Sequence, residues 1–250
     1  MILVFFIFGL VFGSFFNVVG LRVPKNESIV YPNSHCDHCK RELSWFENIP
    51  VLSWLFLRGR CRTCREKISP IYPVIELVTG FLFAFSYVKL GFQLELLIAL
   101  LLVSLLIILT VSDLVYMIIP DSILLIFLIA FILLRIFAPL NPWWDSLLAA
   151  GLGFGILLFL AIVSRGGMGG GDIKLFFVLG VVLGTKATLM TLFLASFIGA
   201  AFGILQIIRK KLGRKTPIPF GPFISIGAII SYFYTETIMI WYIEQFLFKI

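Results

Sequence analysis

The chain's four cysteines fall as two C-x-x-C pairs, in His35-Cys36-Asp37-His38-Cys39 and Cys61-Arg62-Thr63-Cys64. Each tight turn of this kind offers two thiolates on one side, and two turns complete a tetrahedron around Zn²⁺. The spacer between the pairs is slightly longer than the usual 15–20 or so residues, but long enough to close such a site. Two other readings stand beside it: disulfides, which suit an oxidising compartment, and four unligated thiols in a small apolar subdomain. With Cys36, Cys39, Cys61 and Cys64 all available, His35 and His38 are spectators. Four thiolates leave no open coordination position, so such a metal would hold structure and do no catalysis.

A second chemistry resides in the acids. Asp113 follows about twenty apolar residues, in Ser112-Asp113-Leu114-Val115-Tyr116-Met117-Ile118-Ile119-Pro120-Asp121. A carboxylate at the end of such a run is costly unless it faces protein or water, which makes it a functional candidate. Asp172 closes Gly166-Gly167-Met168-Gly169-Gly170-Gly171-Asp172-Ile173-Lys174, where five glycines let backbone approach backbone or an extended ligand. Two carboxylates converging in a partly dry site share a proton. One then activates a water while the other, protonated, polarises a carbonyl. The alternative is structural: Asp172 capping a helix from Ile173, and Asp121 capping one after Pro120. Capping suits Asp113 poorly, because it ends a helix, where the dipole disfavours an anion.

The elements that must position these residues are set by composition. Of 250 residues, 60% are hydrophobic and 13% charged, with 27 Phe, which excludes a soluble globular domain, a disordered chain and a fibre. Apolar runs at about 1–21, 74–89, 92–112, 122–138, 146–164, 174–185, 187–208 and 219–243 predict eight helices. Arg22 and Lys25 follow the first run, and no basic stretch precedes it, so an uncleaved first helix with its N-terminus outside is expected. Alternating the loops from there puts sixteen of the twenty Lys and Arg on one side, including the 22–73 segment and the cluster Arg209, Lys210, Lys211, Arg214 and Lys215. That side is cytoplasmic by the positive-inside rule, and Asp113, Asp121 and Asp172 fall on it. Trp143, Trp144 and Trp241 then lie near the outer interface. The expected fold class is an all-α polytopic membrane protein of about eight transmembrane helices, with a small cytoplasmic zinc-knuckle subdomain between helices 1 and 2. Its expected divisions are a first transmembrane helix (1–21), the four-cysteine zinc-binding segment (22–73) and a seven-helix membrane domain (74–250).

Taken in order, these residues resemble the type IV prepilin peptidases, which are GxGD membrane aspartyl proteases. The resemblance begins with Gly13-Ser14-Phe15, Asn17-Val18, Arg22 and Pro24. It continues through the four cysteines, Asn48-Ile49-Pro50, Ser53-Trp54, Leu57-Arg58-Gly59-Arg60-Cys61, Ile68-Ser69, Tyr72-Pro73 and Glu76. The stretch from Asp113 to Pro120-Asp121 resembles one catalytic loop, Gly167-Met168-Gly169-Gly170-Gly171-Asp172-Ile173-Lys174-Leu175 the other, and Pro219-Phe220-Gly221-Pro222-Phe223 the entry to the last helix. The resemblance implies a two-activity enzyme of the bacterial cytoplasmic membrane. It would cut the basic leader from prepilins or pseudopilins on the cytoplasmic face, after a Gly. It would then N-methylate the new N-terminal residue, commonly Phe, with S-adenosylmethionine. By carry-over Asp113 and Asp172 are the catalytic pair, with Asp121, Gly169, Gly171 and Lys174 in support.

Two departures fall in the segment that the family associates with methylation: Ile71 where Arg is usual, and Asp37 where Pro is common. No glycine-rich nucleotide loop on a strand–helix unit is present, so the sequence does not place the methyl-donor site. Lys174 reads as a snorkelling interface anchor, or as a charge that biases Asp172. Glu27, Glu42, Glu47 and Glu66 are the candidates for attracting a basic leader. The basic 209–215 cluster points to anionic lipid and not to nucleic acid. A transporter that couples through its intramembrane aspartates is the alternative, and it requires broken helices in matching positions of two halves.

Overall fold

The computed structural model describes residues 1–36, 38–164, 168–209 and 218–246. Asp37, Gly166 and Gly167, together with Lys210, Lys211, Arg214 and Lys215 of the basic cluster, lie outside the described residues. The described chain is helical: α1 Ile2–Arg22, the short α2 Leu52–Phe56, α3 Ile71–Leu90, α4 Leu94–Tyr116, α5 Asp121–Phe137, α6 Asp145–Val163, α7 Gly170–Ile208 and α8 Gly221–Phe246. No strand occurs among the described residues; two isolated bridges, His35 with Glu42 and Arg60 with Lys67, lie between α1 and α3.

Six of these helices are long and apolar enough to cross a bilayer. The seventh, α5, has 17 residues, within the range of about 17–25 that a span requires. The sixth and seventh of the expected runs are joined in α7, which bends at Gly184 (φ 76°, ψ 173°). All eight apolar segments are therefore helical, and the chain is a multi-pass membrane protein. The bend is capped from another helix. The Asp145 carboxylate accepts the Thr185 backbone N–H (3.0 Å) and the Thr185 hydroxyl (2.6 Å), capping the second half of α7 as it restarts. A side chain at Gly184 would collide with that carboxylate.

The chain packs as two compact units, Met1–Tyr116 and Met117–Ile250. In the first, α1 is apolar all round, and a small-residue stripe decides which face is buried. A Cβ on Gly13 would lie 2.8 Å from the Glu76 Cα, and one on Gly20 2.8 Å from Val111, so α1 closes onto the backbones of α3 and α4. Phe8, Phe12 and Phe15 remain exposed on its other face. In the second unit α6 meets α7 in the same way: a Cβ on Gly153 would sit 2.9 Å from the Phe176 carbonyl.

Candidate functional site

The cysteine segment folds as the same knuckle built twice. The Cys36 N–H donates to the Arg41 carbonyl (2.9 Å) and the Lys40 N–H returns to the Cys36 carbonyl (2.9 Å). In the second knuckle the Cys61 N–H donates to the Glu66 carbonyl (2.8 Å) and the Arg65 N–H to the Cys61 carbonyl (3.0 Å). The fifth residue of each turn is left-handed, Lys40 at φ 55° and Arg65 at φ 61°. This pairing faces the four sulfurs inward, all within 4.8 Å of one another, with Cys36 to Cys64 at 3.7 Å and Cys39 to Cys61 at 4.0 Å. A Zn–S bond of about 2.3 Å places the corners of a tetrahedron about 3.8 Å apart, so the donor set fits Zn²⁺. All four cysteines are free thiols, which removes the disulfide reading.

The electrostatics point the same way. Backbone N–H groups of Cys64 and Thr63 pull the Cys61 thiol down to about 6. At Cys64 the Glu66 N–H pulls in the same direction. Burial and the neighbouring Cys61, Cys36 and Cys39 outweigh it and push that thiol up to about 11. Four clustered sulfurs cannot all become anionic without a cation among them.

Glu47 supports this segment in a way the sequence reading missed. Arg41 grips it with two hydrogen bonds, at 2.7 and 3.0 Å, and the Ser44 backbone N–H adds a third at 2.9 Å. The Arg41 pairing holds the Glu47 carboxyl down at about 2. The signal was present as Ser44-x-x-Glu47, a capping box, which the structure forms. Glu47 is thereby neutralised and drops out of the candidates for attracting a basic leader. The residues between the two cysteine pairs fold for equally local reasons. Gly59 (φ 64°) lets its turn lie flat on Trp54, where a Cβ would be 2.7 Å from the ring. The Trp54 indole N–H reaches the Ile68 carbonyl (3.2 Å).

The acids divide between the units. Asp113, in the first, is buried in the last turn of α4, beside the fully buried Ser112. Asp172, in the second, is the third residue of α7, and Gly169 holds the N-cap position. Asp172 is therefore not the N-cap, and the positive end of the helix faces its carboxylate. Asp121 opens α5, with Pro120 at the N-cap. Its carboxylate, instead of capping, takes the Lys174 ammonium at 2.6 Å. Lys174 thus links α7 to α5 across an exposed pair.

A second contact in the same unit binds the 117–120 loop to the glycine-rich turn. A Cβ on Gly171 would lie 2.7 Å from the Ile119 Cβ, so only glycine permits this approach. A Cβ on Gly169 would meet the Asp172 Oδ2 at 3.1 Å, whereas Gly170 faces open space.

Comparison with known proteins covers both units. Residues 7–90 match the bacterial peptidase A24 N-terminal domain, and residues 100–204 match the type IV leader peptidase family. A prepilin leader peptidase/N-methyltransferase of Bacillus subtilis is 43% identical over 245 residues, 98% of this chain and 99% of that protein. Proteins of the same name are 42% identical in Myxococcus xanthus, over 85% of this chain and 64% of that one, and 35% in Aeromonas hydrophila, over 97% and 93%. No solved structure matches. The matched regions take in the paired knuckles, the Asp113 helix and the glycine-rich turn, and on them the chain belongs to the type IV leader peptidase family.

Proposed function

We propose that the protein is a membrane aspartic endopeptidase that removes the basic leader from type IV prepilins or pseudopilins. The cut falls after a Gly at the cytoplasmic face of the bacterial membrane, and the new N-terminal residue is then N-methylated. Three relatives carry both activities in their names. The loop charges orient the N-terminus outside and the cysteine segment inside. The observation that carries the peptidase assignment is the pair of buried carboxylates, Asp113 at 6% exposure and Asp172 at 9%. Each sits in an end turn of a predominantly apolar helix, and both lie within the matched residues 100–204. Within the second unit, Ile119 lies against Gly171, the neighbour of Asp172.

In this mechanism the two carboxylates share one proton. The ionised one takes a proton from water as its oxygen attacks the scissile carbonyl; the protonated one donates to that carbonyl oxygen. A helical substrate hides its carbonyls in its own hydrogen bonds, so the segment must first unwind. The open flank at Gly170 offers backbone to the extended strand. Asp121 and Lys174 hold α5 to α7 beneath that turn. Cys36, Cys39, Cys61 and Cys64 hold a structural Zn²⁺ that takes no part in the cut. When bound, S-adenosylmethionine would supply an electrophilic methyl group for the freed amine, with S-adenosylhomocysteine and a proton released.

A coupled transporter is disfavoured by the bends of the helices. Gly184 interrupts α7, and no helix of the first unit carries a matching break among the described residues. The test is leader cleavage of a pseudopilin in membranes. Asp113→Asn and Asp172→Asn should each cut the rate about 10²–10⁴-fold while the protein still inserts. Wild-type rate in either variant overturns the assignment.

A further inference from the structure

A pocket of about 520 Å³ lies on the second knuckle, and none of the four cysteines lines it. Its wall includes Trp54, Arg58, Arg60, Lys67, Ser69 and Pro70. Three cations and no acid face it; Glu66, beside Lys67 in the chain, is not on this wall. Arg60 and Lys67 oppose each other across an antiparallel bridge, so their side chains leave on the same side of the turn. Like charges set directly opposite repel. Among the described residues none of the three cations has an acidic partner. An anion between them would turn that repulsion into attraction.

The pocket also ends where a membrane helix begins. Pro70, on its wall, is the N-cap of α3, and Ile71–Leu90 is long and apolar enough to cross a bilayer. A wall one residue from such a span lies at the depth of the lipid headgroups. The positive end of α3 adds to the three cations there. The Ser69 hydroxyl oxygen accepts the Ile71 N–H (3.3 Å), and its own proton can donate outward. The short α2, which supplies Trp54 to the wall, exposes Leu52, Leu55 and Phe56, at 51%, 57% and 82%. Their i, i+3, i+4 spacing sets them on one face. Bare apolar residues beside basic ones suit a surface that enters the boundary between headgroups and acyl chains.

We propose that this pocket seats the phosphate of an anionic phospholipid, with Leu52, Leu55 and Phe56 among the acyl chains beside it. The second knuckle then rests on the bilayer instead of standing off in water. A free phosphate would make no use of the apolar face, and the three cations would repel a basic peptide. The lipid belongs to the cytoplasmic leaflet under the orientation given above. The inference itself needs only that the start of α3 lies at a bilayer surface, and it stands apart from both proposed activities.

The test uses the zinc-loaded full-length protein in detergent, with retained lipids counted by native mass spectrometry. The probes are a phosphatidylglycerol, a phosphatidylcholine with the same acyl chains, and glycerol phosphate, which has a headgroup and no chains. Wild type should prefer the phosphatidylglycerol by about tenfold or more. Arg60→Gln and Lys67→Gln should each lower that preference about fivefold, the factor that one cation near an anionic surface supplies. Arg65→Gln, on the same knuckle but off this wall, should change it by less than about twofold. Phe56→Ser should weaken both lipids about tenfold. All four side chains are exposed, so these variants should keep their zinc and their melting point. A second readout is local. In nanodiscs Phe56→Trp adds an emission that phosphatidylglycerol with brominated acyl chains should quench, and Lys67→Gln in that background should relieve the quenching. Equal retention of the two lipids by wild type, pocket variants that behave like Arg65→Gln, or an added emission that brominated chains leave untouched overturns the inference. Glycerol phosphate that displaces the lipid at matched concentration would give the pocket to a free phosphate, and overturns the lipid assignment as well.

Discussion

The cysteine segment and the aspartate-bearing loops are both polar interruptions of an apolar chain, yet they are held by opposite means. The segment closes on itself. Each knuckle satisfies its own backbone, Arg41 and Ser44 saturate Glu47, and Trp54 seals the turn at Gly59. The loops of the second unit are held from outside, by the Asp121–Lys174 pair and by Ile119 pressed on Gly171, with Gly170 left open beside them. A site that must keep its shape draws its hydrogen bonds from its own near neighbours. A site that must admit a peptide keeps backbone uncovered and relies on the helices around it.

The sharpest way to break this contrast is to remove a knuckle sulfur. Cys61→Ser should drop bound zinc from about one ion per chain to almost none, and chelation of the wild type should make the 22–73 segment sensitive to protease. A segment that stays resistant without metal would mean that its hydrogen bonds suffice alone. The next largest effect separates two adjacent glycines. Gly171→Ala should destabilise the protein by about 1–3 kcal/mol, because its Cβ has nowhere to go against Ile119. Gly170→Ala should stay within about 0.5 kcal/mol of wild type in thermal melts. Gly170→Leu, equally tolerated by the fold, should slow leader cleavage; an unchanged rate would remove this turn from substrate binding.

The smallest effect is one of pH. Because Arg41 holds the Glu47 carboxyl down at about 2, against an ordinary value of 4.5, the ionised form is favoured by folding. Its contribution is complete above the ordinary value and is lost as pH falls through about 2. The stability gap between wild type and Glu47→Gln should therefore be flat from about pH 7 to about 5 and shrink below about pH 4. A gap that widens on acidification would contradict the pairing.

Much of this architecture is written in local pattern. Eight apolar runs become eight helical segments because span length and hydropathy are properties of the chain alone. The C-x-x-C pairs locate their centre because a knuckle is a contact between near neighbours. The boundary between the two runs joined in α7 was visible between 185 and 187, but not its cap, since the Asp145 carboxylate that receives Thr185 lies some forty residues earlier. Lys174 was read as an interface anchor, and its partner Asp121 lies 53 residues away. Asn17 and Glu76 stood among the motif residues, but the Asn17 bond to the Tyr72 carbonyl and the Glu76 bond to the Val51 N–H emerge only when the chain folds back, with Gly13 letting α1 close onto α3. Long-range packing creates these features, and no spacing rule encodes it.

The central claim, that Asp113 and Asp172 act as one proton-sharing pair, is tested most directly by comparing Asp113→Asn, Asp172→Asn and the double variant in the same membrane cleavage assay. Residues that work as a unit are strongly non-additive, so each single variant should fall about 10²–10⁴-fold and the double no further than the worse single. Losses that multiply in the double variant, or a single variant that keeps most of its rate, would show that the two carboxylates act apart.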